Sequence, residues 1–159
     1  VYKYIIYFEM KTKKNASLFI LLLTFSLLTL SNACSERNET VNCFPNALVS
    51  VQLNLNLPSY YKLQNIGSWV YVNEVGSGTR GLIVVRVTNG FKVYDRNAPH
   101  LCPDNETTLE VRNETTIHCP KDDAEWILIT GQPTSVAKIA PKTYPYSYDP
   151  NTNILSIYN

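Results

Sequence analysis

Residues 49–57 read Val-Ser-Val-Gln-Leu-Asn-Leu-Asn-Leu, with an apolar side chain at every second position. A strand therefore places Val49, Val51, Leu53, Leu55 and Leu57 on one face and polar groups on the other. Pro58 ends it, having no N–H to give to a ladder. Residues 82–88 form a second predicted strand, rich in β-branched side chains, and Asn89-Gly90 leads from it into Phe91-Lys92-Val93-Tyr94. Two residues tolerant of positive φ between apolar runs predict a hairpin with Asn89 and Gly90 at the centre of its turn. Shorter strands are predicted at residues 107–111, 115–117, 126–130, 144–148 and 154–158, the last two separated by the turn-forming Asp149-Pro150-Asn151. No stretch beyond residue 46 sustains a 3.6-residue apolar period. Many short strands with frequent turns predict one all-β domain over residues 47–159, a small antiparallel β-sandwich or open barrel.

The other pattern is a single apolar run. Residues 16–30 are Leu, Ile, Phe and Ala, interrupted only by Ser17, Thr24, Ser26 and Thr29. That is short of the roughly 20 apolar residues needed to cross a bilayer. Lys11, Lys13 and Lys14 precede it and Ser31-Asn32-Ala33-Cys34 comes after, the layout of a secretory signal peptide. Small residues with a cysteine directly after them resemble a bacterial lipobox. The resemblance implies lipidation of Cys34 and removal of the segment before it, two or more acyl chains being what holds a protein on a bilayer stably. The plainer alternative is an ordinary signal peptide cleaved near Ala33, with Cys34 free or in a disulfide. Met10 stands directly before the basic residues, so residues 1–9 read as an over-extended gene start and residues 1–33 as that start plus the signal peptide. Residues 34–46, polar and poor in aliphatic side chains, read as lipid anchor and tether. The expected location is the cell envelope, on the periplasmic or outer surface of a bacterial membrane.

Charge excludes one class of partner. The whole chain carries 14 Lys and Arg against 13 Asp and Glu. Removal of the first 33 residues leaves ten basic and twelve acidic side chains, scattered along the domain. Nucleic-acid modules cluster their basic residues, so nucleic acid is not an expected partner.

Two loops between the strands gather metal-friendly residues. The first is Asn97-Ala98-Pro99-His100-Leu101-Cys102-Pro103, and the second Ile117-His118-Cys119-Pro120-Lys121-Asp122-Asp123-Ala124-Glu125-Trp126. With Thr130-Gly131-Gln132-Pro133 and two closing strands after them, this order resembles the Rieske iron–sulfur fold over residues 81–158. In that family a Cys-x-His loop and a Cys-x-x-His loop clamp a [2Fe-2S] cluster, two thiolates on one iron and two imidazoles on the other. The resemblance puts Ala98, His100, Cys119 and Asp122 at the four ligand positions. A methyl group cannot bind iron, and Asp122 offers a hard oxygen in place of a nitrogen. The expectation is a Rieske-like domain without its cofactor; the alternative is an electron-transfer protein whose [2Fe-2S] cluster is held by unorthodox ligands.

Many Rieske proteins also carry a disulfide between the two loops, and each loop here retains one cysteine. That implies a Cys102–Cys119 bridge worth about 3 kcal/mol. The match is imperfect, since Cys119 falls at the family's ligand position and Lys121 at its disulfide position. Cys43 would then be the odd cysteine, lying in the tether. A bound metal at His100, His118, Asp122, Asp123 and Cys119 is not expected, because His118 and Cys119 are adjacent on a strand and face opposite ways. No nucleophile elbow, zinc-protease helix or phosphate-cradling glycine loop is present, and Gly76-Ser77-Gly78 reads as a turn, so no enzyme is expected. Tyr144, Tyr146 and Tyr148 alternate along one strand and are the candidate aromatic face for a glycan or protein partner, though such rings also build cores. Three Asn-Glu-Thr sequons, at Asn38, Asn105 and Asn113, are read as chance matches. The function expected is a binding or structural accessory module, with a glycan- or protein-binding surface lipoprotein as a further alternative.

Overall fold

The run Leu82-Ile83-Val84-Val85 is apolar at every position because both faces of its strand are buried. In the computed structural model, which describes residues 40–159, all four side chains are inaccessible to solvent. The gene start, the signal peptide and Cys34 lie outside the described residues. Leu82 and Val84 pack into one core and Ile83 and Val85 into another, as the two-residue period of a strand requires. Each such side chain contributes roughly 1.5–3 kcal/mol of burial, so this strand is the spine of the domain.

The strands run in the order β1 Ser50–Asn54, β2 Trp69–Val72, β3 Leu82–Val87, β4 Gly90–Asp95, β5 Glu110–Arg112, β6 Thr116–His118, β7 Glu125–Ile127, β8 Pro133–Ser135, β9 Tyr146–Asp149 and β10 Ile154–Tyr158, with a 3₁₀ turn at Tyr61–Gln64. They pair antiparallel in three sheets, ordered β1-β10-β9, β2-β3-β4 and β5-β6-β7-β8. The all-β antiparallel class expected from the sequence is observed. The middle sheet faces the first across a core of Val51, Leu53, Leu55, Val70, Leu82, Phe91, Leu155 and Ile157. On its other side it faces the third across Ile83, Tyr94, Leu109, Ile117, Trp126 and Leu128.

Several boundaries differ from the sequence pattern for local reasons. β1 stops at Asn54 because Leu57 donates its N–H back to Asn54 O at 3.1 Å, which leaves Leu57 exposed. The hairpin turn falls on Thr88-Asn89, with Val87 opposite Gly90. Gly90 takes φ +131 as the first residue of β4, and any Cβ there would collide with the Tyr146 hydroxyl, which accepts the Phe91 N–H at 3.0 Å. β7 ends at Ile127, where Gly131 at φ +76 donates its N–H to Ile127 O at 2.7 Å. β2, β8 and the 3₁₀ turn escape the alternation rule, being short and without a regular polar face.

The tyrosine face is turned inward. Tyr144 lies before β9, pairs its N–H with Val93 O at 3.1 Å and is buried, its hydroxyl donating to Asp95 Oδ2 at 2.6 Å. Pro145 then carries the chain from the middle sheet to the first. Tyr146 and Tyr148 meet Phe91 edge to face, at centroid distances of 5.6 and 5.2 Å. The three share a side as expected, but that side seals the first core and is no exposed platform.

Candidate functional site: the two loops

Both loops leave the end of the structure where the middle and third sheets meet. Asp95, buried at the close of β4, accepts the Asn97 N–H and side-chain amide on Oδ1, each at 2.7 Å, as well as the Tyr144 hydroxyl. This fixes the start of the first loop. The loop closes through Ala98 N–H to Thr107 O at 3.1 Å and Leu109 N–H to Arg96 O at 2.7 Å. The second loop is a tight reversal in which Cys119 N–H bonds Ala124 O at 2.9 Å and Asp123 N–H bonds Cys119 O at 3.0 Å.

The structure brings the four remnant positions to one place. His100 Nε2 lies 2.6 Å from Asp122 Oδ2, and the imidazole tilts against the Trp126 ring at 5.6 Å. The buried Cys119 thiol lies close enough to the same carboxylate for each to shift the other's titration. Ala98 and Cys119 are both buried in the core beneath. Burial opposes the charge on Asp122, but the His100 hydrogen bond, the neighbouring Cys119 thiol and the Ala124 N–H outweigh it and hold the carboxyl below its ordinary range. Asp122 is therefore ionised at neutral pH, and the shared proton resides on His100 Nε2. Cys119 moves the other way: burial first, then the neighbouring Asp122 carboxylate, push the thiol up to about 11.

His118 and Asp123 form a second, separate pair. His118 is buried, with Nε2 2.9 Å from Asp123 Oδ1 and Nδ1 3.5 Å from Glu110 Oε1. Asp123 sits at φ 59, a conformation aspartate tolerates. That reversal sends the neighbouring carboxylates apart, so each takes one histidine. Among the described residues, no group of three or more His, Cys, Asp or Glu side chains is placed to hold a metal ion.

The predicted Cys102–Cys119 bridge is corrected. Cys102 is bonded to Cys43, with Cα atoms 5.4 Å apart, and Cys119 is a buried free thiol. Cys102 points outward from its loop while Cys119 points into the core, so the two never face each other. Val41 N–H also bonds Pro99 O at 3.0 Å, so the described end of the tether is stitched to the first loop and Cys43 is not the odd cysteine. Lys121 of the second loop is paired ionically with the acids that follow the first, its Nζ 2.8 Å from Asp104 and 3.3 Å from Glu106. Sequence reasoning missed both links. Three cysteines beyond Cys34 leave the pairing open, so the first had no guide in the count. The acids at 104 and 106 facing a lysine fifteen to seventeen residues on were the signal for the second.

The donor set does not fit a [2Fe-2S] cluster. Position 98 is alanine and has no donor, and Asp122 offers a hard carboxylate oxygen where the family uses an imidazole nitrogen. His100 Nδ1 is buried and lacks a hydrogen-bond partner among the described residues, but one nitrogen cannot hold two irons.

No family model matches the chain, and no curated protein matches it. Among solved structures it is similar to the ferredoxin of carbazole 1,9a-dioxygenase from Nocardioides aromaticivorans IC177, with 18% identity, 70% of this chain and 96% of that one covered, and a TM-score of 0.40. It is also similar to a chain of the complex of reduced oxygenase and oxidized ferredoxin in carbazole 1,9a-dioxygenase, with 17% identity, coverage of 72% and 94%, and a TM-score of 0.41. The chemistry of the two loops rests on their own residues and contacts.

Proposed function

We propose that this chain is a cofactor-free Rieske-like module, lipid-anchored through Cys34 on the outside of a bacterial membrane, serving as a binding or structural accessory. One observation supports the first half: two of the ligand positions, His100 and Asp122, are bonded to each other. His100 Nε2 donates to the Asp122 carboxylate, which also accepts the Ala124 N–H and neighbours the buried Cys119 thiol. The Cys43–Cys102 disulfide and the Lys121 ion pairs secure the same loops from outside. Loops with these internal ties have no structural need for a metal. An exposed disulfide also fits an oxidising compartment, where such bonds persist.

The anchor is supported by the basic, apolar and small-residue order ending at Cys34. Cells expressing the chain and fed radiolabelled palmitate are expected to yield a labelled protein that enters the detergent phase. Cys34→Ala is expected to abolish both. An unlabelled, aqueous wild-type protein would reduce the proposal to a secreted domain.

A further inference from the structure

A cleft of about 590 Å³ runs along β2, the outer strand of the middle sheet, and is built from side chains other than those of the two loops. Ser59, Lys62, Ser68, Trp69, Tyr71 and Glu114 line it. The Trp69 and Tyr71 rings meet edge to face with centroids 4.8 Å apart. Both are fixed in place: Trp69 Nε1 donates to Glu114 Oε2 at 2.6 Å, the Tyr71 hydroxyl accepts the Val111 N–H at 2.7 Å, and the Arg96 guanidinium lies 4.1 Å from the Tyr71 ring centroid. Glu114 and Asn113 form the turn between β5 and β6 at φ 59 and 51. Glutamate rarely adopts the left-handed region, and here that conformation delivers its carboxylate to the cleft.

We propose that this cleft binds a neutral saccharide. Its volume lies within the roughly 300–1,000 Å³ of ligand clefts, and its lining has their mixture of aromatic rings with a few placed polar groups. One cation, Lys62, is balanced by one anion, Glu114, so the site offers no net charge to a phosphate. Two serine hydroxyls, an ammonium and a carboxylate supply donors and acceptors for hydroxyl groups, while a lipid tail would meet too many of them. The partly buried Trp69 ring offers its accessible portion as an apolar surface for the C–H face of a sugar. This site shares no residue with the loops, so it stands or falls independently of the cofactor-free assignment.

Tryptophan fluorescence tests it. Trp126 is fully buried with its Nε1 bonded to Ile139 O at 2.8 Å, which leaves Trp69 as the ring a ligand can reach. Maltohexaose, cellohexaose, laminarihexaose and chitohexaose would each be titrated into the purified chain. At least one is expected to give a saturable change, weakened about tenfold or more in Glu114→Ala or in Lys62→Ala. Both positions are exposed, and the Lys62 side chain makes no hydrogen bond among the described residues, so Lys62→Ala is expected to keep the wild-type urea midpoint. Lys62→Ala carries the test should Glu114→Ala, which frees the Trp69 Nε1–H, shift that midpoint. No saturable change with any of the four, or a saturation concentration that neither variant raises, would overturn the proposal.

Discussion

Cys102→Ser is expected to lower the unfolding free energy by about 4 kcal/mol, the loop-closure value for cysteines this far apart. The bond joins positions 59 residues apart, so its loss frees a large loop in the unfolded chain. It also releases the first loop from residues 41–43. Urea midpoints of the single variants identify the pairing: Cys43→Ser should match Cys102→Ser, and the double variant should add nothing. Cys119→Ser should behave differently, because it replaces a buried free thiol in the second core. A wild-type midpoint for Cys43→Ser, with Cys119→Ser matching Cys102→Ser, would restore the inter-loop bridge and contradict the structure.

Asp122→Ala is expected to cost about 2 kcal/mol, the scale of hydrogen bonds to a charged group that is only partly exposed. The substitution strands the His100 N–H and removes the acceptor for the Ala124 N–H. The same residue sets a pH dependence. Its carboxyl lies lower in the folded protein than in the unfolded chain, so the unfolded state takes up a proton first as pH falls. The contribution is complete above the unfolded pKa of about 4 and disappears as pH drops through the folded value. Denaturation midpoints from pH 6 to pH 3 should therefore fall less steeply in Asp122→Asn than in the wild type. Asp104 and Asp149, also held low by hydrogen bonds, titrate in both proteins and cancel from the comparison. Parallel slopes would mean that Asp122 is not the joining group.

The sequence made β1 and β10 legible because one face of each is buried and the other is wet, which writes the two-residue period into the chain. Trp69-Val70-Tyr71-Val72 carries no such period, since β2 packs against a core on each side. Its β-branched and aromatic content was the available signal. The loop residues were legible through their order, and the structure joins His100 to Asp122 directly. The cysteine pairing was not, because it depends on how residues 40–46 return to the first loop, and nothing local in the chain encodes that path. The inward turn of the tyrosines was hidden for a related reason: alternation fixes which residues share a face, while only the packing of sheets decides where that face points.

Iron and acid-labile sulfide, measured together with the visible spectrum of the chain purified anaerobically from cells supplied with both, test the central claim most directly. A folded, colourless protein with neither element is the expected result, since Ala98 offers no donor and Asp122 a carboxylate in place of an imidazole. Two irons and two sulfides per chain with visible absorption would contradict it, and would require other side chains to complete the site.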